Sequence, residues 1–364
     1  MVSEAAALRV EAKLEVVRYG DSGVEVVSDI TERMRPESSR VSRYMGDERG
    51  VHGQLELHLE GTLNWSDTLL RPSMVLTDLA TQETETAVLG VYRAEIAGFT
   101  TDAHPLQTTV RGLDATSYLD YPYGHTVYIP EGTNTVAWAL NSLRDFTPTF
   151  PRIELSDSAR LPTSFTFPNT NRTTPRYVIN SILEASGYDQ IFADRDGYYS
   201  ALPYIAATQR LPLLDIDLTS PAPIASSIVD YRTDLHRRPN RWLFIRDNPD
   251  LELPSMESGL LTVTNAADGP ASVQERGIVI TDVVRLAANT QESLLEQAQR
   301  IVDRGKWPDV EATFRATPQL GLWHGDIVLC TVPDIGWDEQ RCEVVNWQLP
   351  LDGNDMLITV SAVF

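Results

Sequence analysis

QLELHLEG, residues 54–61, alternates apolar and polar side chains with a period of two. Successive side chains of an extended strand point to opposite faces, so this spacing predicts a strand with one face against a core. The flanking Gly53 and Gly61 are typical of strand ends. The predicted faces are Leu55, Leu57 and Leu59 on the inside and Gln54, Glu56, His58 and Glu60 on the outside.

The same alternation continues outward through the first third of the chain. Residues 7–19, ALRVEAKLEVVRY, repeat it with leucine and valine on one face and charged side chains on the other. SMVLTD, TAVLGVYRAEIAGF and QTTVRGLDA are short, bounded by turn residues and rich in β-branched side chains. Residues 1–115 are therefore predicted to form an antiparallel sandwich or barrel.

The pattern changes to helical spacing over residues 116–215. TNTVAWALNSLRDF predicts a helix capped by Thr133 or Asn134, and TTPRYVINSILEASG predicts a second one. In the second helix, Thr174 is the expected cap, Pro175 suits the first position, and Gly187 follows the end. Residues 116–215 are predicted to form a small α+β domain.

ADRDGYYSALPY, residues 193–204, raises three alternatives: a metal loop, a catalytic acid pair or a turn. The spacing around Asp194 and Asp196 does not match a calcium-binding EF-hand loop. Glycosidase carboxylates face each other across a cleft, which two neighbours on one turn do not by themselves achieve. An Asp-Arg-Asp-Gly segment between apolar arms is typical of a hairpin turn, and that alternative is favoured.

Strands return in residues 216–364. RPNRWLFIRD, GLLTVTN and GIVITDVVRL precede a helix in NTQESLLEQAQRIVDRG, and four further strand patterns follow it. This region is predicted to be a second β domain with a helix-containing insertion around residues 265–315. The fold class is therefore mainly β with α+β insertions.

Composition excludes several classes of function. The chain has 51 acidic and 30 basic residues, a formal charge of −21, which repels phosphate backbones. Solubility alone would also explain this charge. No apolar run reaches the roughly 18 residues that a membrane span needs, and the N-terminus does not resemble a secretion signal. Cys330 and Cys342 are expected to stay reduced in a chain that folds in the cytoplasm.

Motifs for catalysis and cofactors are missing from the sequence. The six histidines are dispersed without zinc-site spacing, and neither a phosphate-binding loop nor a nucleophile elbow occurs. We therefore predict no catalytic residue, no metal, no cofactor and no enzymatic activity. The densest aromatic stretch, YLDYPYGHTVY, is the best candidate for a carbohydrate or protein contact. Its tyrosines are Tyr118, Tyr121, Tyr123 and Tyr128.

The order of these segments resembles a known family. LRPSMVLTD, VLGVYRAEI and TTVRGLDATSYL come first, and TNTVAWALNSL and the helix and hairpin of TPRYVINSILEASGYDQIFADRDGYYSALPY follow. SSIVDYRTDLHRRPNRWLFI and TNAADGPASVQERGIVITD complete the series. This succession resembles the hub proteins of phage tail tips and baseplates, the minor tail proteins of long-tailed phages.

The resemblance implies a non-enzymatic structural role in the virion tail tip after assembly in the host cytoplasm. Such hubs are homotrimers whose subunits each contribute two tail-tube-like β-barrel domains, here 1–115 and 216–364, with 116–215 outside them. Three chains then adapt the sixfold tail tube to a threefold tip. Implied partners are the distal tail or tail tube ring, the tape measure protein, and other tip or fibre proteins, while DNA passes through without specific binding.

The resemblance also gives the outer strand faces a role. Glu11, Glu15, Glu56 and Glu60 would line the channel, although an ordinary solvated sheet face explains them equally well. No hydrolase, fibre or needle domain follows the last strand pattern, so piercing is expected of a separate protein. Two other functions stay open: a carbohydrate-binding or carbohydrate-cleaving tip protein, and a β-rich adaptor of a contractile injection system.

Overall fold

The computed structural model describes most of the chain in fourteen stretches separated by gaps. These are residues 8–20, 23–46, 50–61, 68–100, 106–146, 159–221, 223–234, 238–246, 260–267, 269, 271–286, 288, 290–305 and 309–363.

In its described residues, the first part of the chain forms eight antiparallel strands. They are β1 (Leu8–Gly20), β2 (Gly23–Asp29), β3 (Arg40–Gly46), β4 (Gly50–Glu60), β5 (Leu69–Asp78), β6 (Thr84–Val88), β7 (Tyr92–Thr100) and β8 (Gln107–Leu113). Their order is β3-β4-β8-β7-β5-β1-β2, and β6 pairs with β5. The leucine face of β4 is confirmed, because Leu55, Leu57 and Leu59 are all fully buried.

The middle of the chain forms a small α+β unit. Its elements are β9 (Val127–Ile129), α1 (Thr135–Phe146), β10 (Phe165–Phe167), α2 (Pro175–Ala185), β11 (Phe192–Ala193) and β12 (Tyr199–Ser200). Both helices and their caps agree with the sequence. The Asn134 side chain accepts a hydrogen bond from the Ala137 amide at 2.8 Å, and Thr174 accepts from the Tyr177 amide at 3.2 Å.

The described residues of the last part form nine strands and two α-helices. The strands are β13 (Pro212–Asp217), β14 (Ala225–Asp234), β15 (Arg241–Arg246), β16 (Leu260–Thr264), β17 (Thr281–Leu286), β18 (Asp309–Ala316), β19 (Ile327–Val332), β20 (Trp337–Pro350) and β21 (Met356–Ala362). The helices are α3 (Val273–Arg276) and α4 (Gln291–Gly305). Strands β15 to β17 form a separate three-stranded sheet in the order β16-β15-β17, as an insertion between β14 and β18.

One sheet connects the first and last parts. Strand β20 pairs with β19 and β21, and its last residues, Asn346–Pro350, pair antiparallel with β3. The result is a 14-stranded sheet in the order β14-β18-β21-β20-β3-β4-β8-β7-β5-β1-β2, with β13, β19 and β6 off this path. One hydrophobic core includes Leu57 from the first part and Ile358 from the last.

The mainly β character is therefore confirmed, whereas two separate barrels are not: none of the sheets that the described residues form is closed. Alternating residues show which face of a strand is buried, but not which strand lies beside it. The pairing of β20 with β3, which joins the two regions, could therefore not be predicted from the alternation.

Candidate functional site

The hairpin β11–β12 has the turn that residues 193–197 predict. The Asp194 carboxylate accepts hydrogen bonds from the Asp196 amide at 3.0 Å and the Tyr198 amide at 2.9 Å. Gly197 occupies the left-handed region, with φ at 78°, where glycine is favoured. Asp194 thus holds the turn while Asp196 is exposed to solvent, so the two carboxylates do not face each other across a cleft.

The tip of this hairpin lies against both parts of the large sheet. Arg195 donates to the backbone oxygen of Val88 in β6 at 3.4 Å and to that of Gly321, between β18 and β19, at 3.1 Å. Its guanidinium also stacks on the Trp323 ring, 4.8 Å from the centroid. The α+β unit is therefore attached where the first and last parts of the chain meet.

Gly197 makes this close approach possible. A Cβ atom at this position would lie 2.3 Å from the hydroxyl of Tyr19 and 2.7 Å from the Cβ of Val91. The Tyr19 hydroxyl donates to the Gly197 oxygen at 3.2 Å, and its ring packs against Tyr198 with centroids 5.5 Å apart. No larger side chain fits without moving the hairpin or the backbone at Val91, which lies just before β7.

A buried arginine of the large sheet also contacts the hairpin. We call this region, around Arg43, Arg195 and Trp323, the junction. Arg43 of β3 is 1 % exposed and donates to Nδ1 of His324 at 2.9 Å and to the backbone oxygen of Ala193. Its guanidinium lies 4.2 Å from the centroid of the Trp323 ring. The Trp323 ring thus contacts two arginines, one from the sheet and one from the hairpin, a favourable cation–π arrangement.

The electrostatics of the junction keep His324 neutral. Burial lowers the pKa of His324 well below its ordinary value, and the charges of Arg43 and Arg210 lower it further. Because Nδ1 accepts a hydrogen bond from Arg43, the proton of the neutral ring lies on Nε2. Burial also lowers the pKa of Arg43. A second positive charge on His324 would oppose both the hydrogen bond and the arginine.

Two more arginines tie the α+β unit to the sheet. Arg176, in the first turn of α2, is 2 % exposed; it pairs with Asp120 at 2.8 Å and lies 3.1 Å from Nε2 of His52 in β4. Arg210 bonds Glu343 of β20 at 2.8 Å and lies 3.6 Å from Asp189. Partly buried polar contacts thus hold the unit against the sheet.

The four glutamates predicted to line a channel lie on the polar face of the sheet, each beside a cation. Arg9 pairs with Glu11, Arg40 with Glu56 at 2.6 Å, and Arg35 with Glu60 at 2.8 Å. Glu15 is only 6 % exposed, and Arg71 and Lys13 bond it at 2.6 Å each. Burial raises the pKa of Glu15, but the hydrogen bonds and charges of Lys13 and Arg71 outweigh it, so the pKa lies below its ordinary value.

The four tyrosines have different surroundings. The Tyr118 hydroxyl donates to Glu95, and Arg93 stacks on its ring. Tyr123 bonds Ser142 of α1 at 2.6 Å and packs edge-on against Phe146. The other two are solvent-exposed, Tyr121 at 68 % and Tyr128 at 56 %. Tyr121 and Tyr128 are thus the members of the predicted cluster that are available to a partner.

Chemical sites are missing from the part of the chain that the structure describes. No group of three metal-ligating side chains comes together there. Cys330 and Cys342 are buried, free thiols. Within the same ranges, no helix has the length and apolar character needed to cross a bilayer.

The buried arginines were not predicted from the sequence, although each leaves a signal there. In β3, Arg43 shares a face with the buried Val41, so it is a charge at an inward position of an alternating strand. Arg176 shares the buried stripe of α2 with Ile179 and Leu183. A charged residue on an apolar face indicates a buried polar contact, because an unpaired buried charge is costly.

Solved structures resemble the whole chain. A tail protein from Neisseria meningitidis superposes with a TM-score of 0.64 at 10% sequence identity, and the match covers 96% of each chain. The fold is that of phage tail proteins. The prophage tail protein gp18 from Listeria monocytogenes matches with a TM-score of 0.57 at 10% identity, over 96% of this chain and 94% of that one.

The tail-protein fold also occurs in a Francisella PdpA–VgrG complex. That match has a TM-score of 0.54 at 11% identity and covers 99% of this chain and 53% of the other. No family model and no curated protein sequence matches the chain. The resemblance to tail proteins noted in the sequence is thus confirmed in the fold.

Proposed function

We propose that the chain is a structural, non-enzymatic component of a phage tail tip. The observation that carries this proposal is the superposition on a tail protein over 96% of both chains, together with the match to a prophage tail protein. Because the match extends over the α+β unit and the insertion as well as the large sheet, it concerns the arrangement of the whole subunit.

Within the tip, the chain acts as a homotrimeric hub. Each subunit contributes two β regions, residues 1–115 and 216–364, and three subunits offer six such regions to the sixfold tail tube or distal tail ring. DNA and the tape measure protein pass through the centre. The formal charge of −21 supports a channel that does not retain DNA.

The four glutamates are not the main source of negative charge in the proposed channel. Since cations pair with Glu11, Glu15, Glu56 and Glu60, the outer face of β1 and β4 carries less negative charge than the sequence suggests. These residues remain proposed lumen positions, and the repulsion of DNA would come from the net charge of the whole ring.

Electron cryomicroscopy of virions that carry this chain tests the proposal. We expect three copies at the tail tip, surrounding a channel continuous with the tail tube. A chain found in the capsid or absent from purified virions would refute the tail-tip role. Three copies that do not surround the channel would refute the hub role and leave a tail-tip location in place.

The fold match to a VgrG complex favours one alternative, an equivalent subunit of a contractile injection machine. A phage tail and an injection machine differ in their cargo: a virion delivers DNA, whereas an injection machine delivers protein. Purification of the assembled particle and detection of packaged DNA distinguish them.

A further inference from the structure

Among the described residues of the insertion between β14 and β18, a helix covers one face of the three-stranded sheet. Helix α4 packs on the face of its three-stranded sheet that includes Trp242 and Phe244, and Leu294 and Ala298 complete that core. The residues that alternate with these in β15 to β17 point the other way. We call this second side the open face.

The open face has an apolar centre. Leu243 of β15 lies beside Thr262 of β16 and Val283 of β17, and Ile245 lies beside Leu260 and Arg285. Val283 is 55 % exposed. Leu243, Ile245 and Leu260 are half-buried, and among the described residues none of these four side chains belongs to the core that α4 completes. Apolar side chains grouped on a partly exposed face are typical of a contact surface.

The charge of the open face is opposite to that of the chain. Its charged side chains are Arg241 and Arg285, its polar ones are threonines, and no described residue on it is acidic. The chain as a whole has a formal charge of −21. A cationic, apolar surface on such an acidic molecule favours an acidic partner, because complementary charges speed encounter and fix orientation.

The hairpin β5–β6 of the same chain has the complementary chemistry. Residues 72–92 contain three acidic residues and no lysine or arginine. These acidic residues are Asp78, Glu83 and Glu85. Both glutamates are exposed, and Leu79 at the turn is 47 % exposed.

The two surfaces lie towards opposite ends of the large sheet. The open face belongs to an insertion that leaves β14 and returns to β18, at one end of the strand order, whereas β5 is third from the other end. When two unlike surfaces of one molecule are complementary, copies associate head to tail and close into a ring if the rotation permits.

We propose that the open face binds the β5–β6 hairpin of a second copy of this chain. Arg241 and Arg285 meet the acidic residues of the hairpin, and Leu79 enters the apolar centre around Leu243 and Val283. The inference rests on the homotrimer of the proposed function and identifies the contact between its subunits.

Sedimentation of the full chain over a range of concentrations tests this contact. We expect the double variant R241E/R285E to weaken association by about tenfold or more, since like charges then face each other. The reciprocal variant E83R/E85R should weaken it similarly. Combining all four substitutions restores opposite charges and the original net charge, so association should recover.

Two controls keep the result specific. Arg315, exposed on β18 outside both surfaces, provides a matched charge reversal, R315E, which should leave association unchanged. A thermal melt of each variant shows that it is folded. Leu79→Asp adds an independent probe and should also weaken association.

The outcomes separate this inference from the proposed function. If the native chain forms trimers that the two double variants do not weaken, the contact lies elsewhere and the hub role stands. Tyr231 is an exposed side chain of β14, and association abolished only by Tyr231→Asp would assign the contact to β14 and overturn the proposal. A native chain that remains monomeric at about 100 µM overturns it as well, while its place in the virion is decided by microscopy.

Discussion

At the scale of single residues, Gly197 and His324 carry the most specific consequences. Gly197 combines a positive φ with a neighbour that leaves no room for a Cβ atom. His324 is a buried imidazole that accepts a hydrogen bond from an arginine. Each leads to a prediction that a single substitution can check.

Gly197→Ala should destabilise the protein by about 2 to 4 kcal/mol, because about 1 kcal/mol of backbone strain adds to about 1 to 3 kcal/mol of overpacking. Gly187→Ala is the matched control, since Gly187 has a φ of 82° but nothing within 4 Å of an added Cβ. It should cost only the backbone strain. Thermal melting compares the two, and equal losses would show that the hairpin tolerates the added atom.

Stability should fall as the pH drops below about 6.5. The pKa of His324 lies well below its unfolded value, so the unfolded chain binds a proton that the folded chain does not. The loss is about 1.4 kcal/mol per pH unit between the unfolded and folded pKa. His324→Gln removes the titration and should flatten the pH dependence of the melting temperature between pH 7.5 and 5.5. Asp326, whose pKa is raised mainly by burial, is present in both proteins and so cancels in the comparison.

At the scale of elements, the hairpin β11–β12 owes its position to Trp323. Two guanidinium groups stack on this ring, at 4.2 and 4.8 Å from its centroid. Trp323→Ala should release the hairpin and increase hydrogen exchange in residues 192–200, whereas Trp323→Phe should retain most of the protection. Protection that survives in the alanine variant would mean that Gly197 and its neighbours are sufficient to hold the hairpin.

The sequence was most informative about individual strands, helices and turns. The leucine face of β4, the caps of α1 and α2, and the Asp194 turn all follow from spacing over a few residues, and the structure has each of them. Contacts between segments far apart in sequence could not be predicted in this way. The pairing of β20 with β3 and the bond between Arg43 and His324 span about 300 residues, and local patterns contain no record of them.

At the scale of the whole molecule, the 14-stranded sheet makes the two β regions depend on each other. One core contains residues of both, among them Leu55, Val110, Val344 and Trp347. A fragment of residues 1–115 or 216–364 alone would expose its share of this core. We expect each fragment to melt without a cooperative transition and the full chain to melt cooperatively. Cooperative melting of either fragment would instead support the independent barrels expected from the sequence.

The arginine at the hairpin tip has a mechanical consequence. Because Arg195 bonds a backbone oxygen on each side of the junction, a load on the α+β unit would pass directly to the seam between the two β regions. A force applied to the α+β unit would therefore be shared between the two β regions through this one side chain.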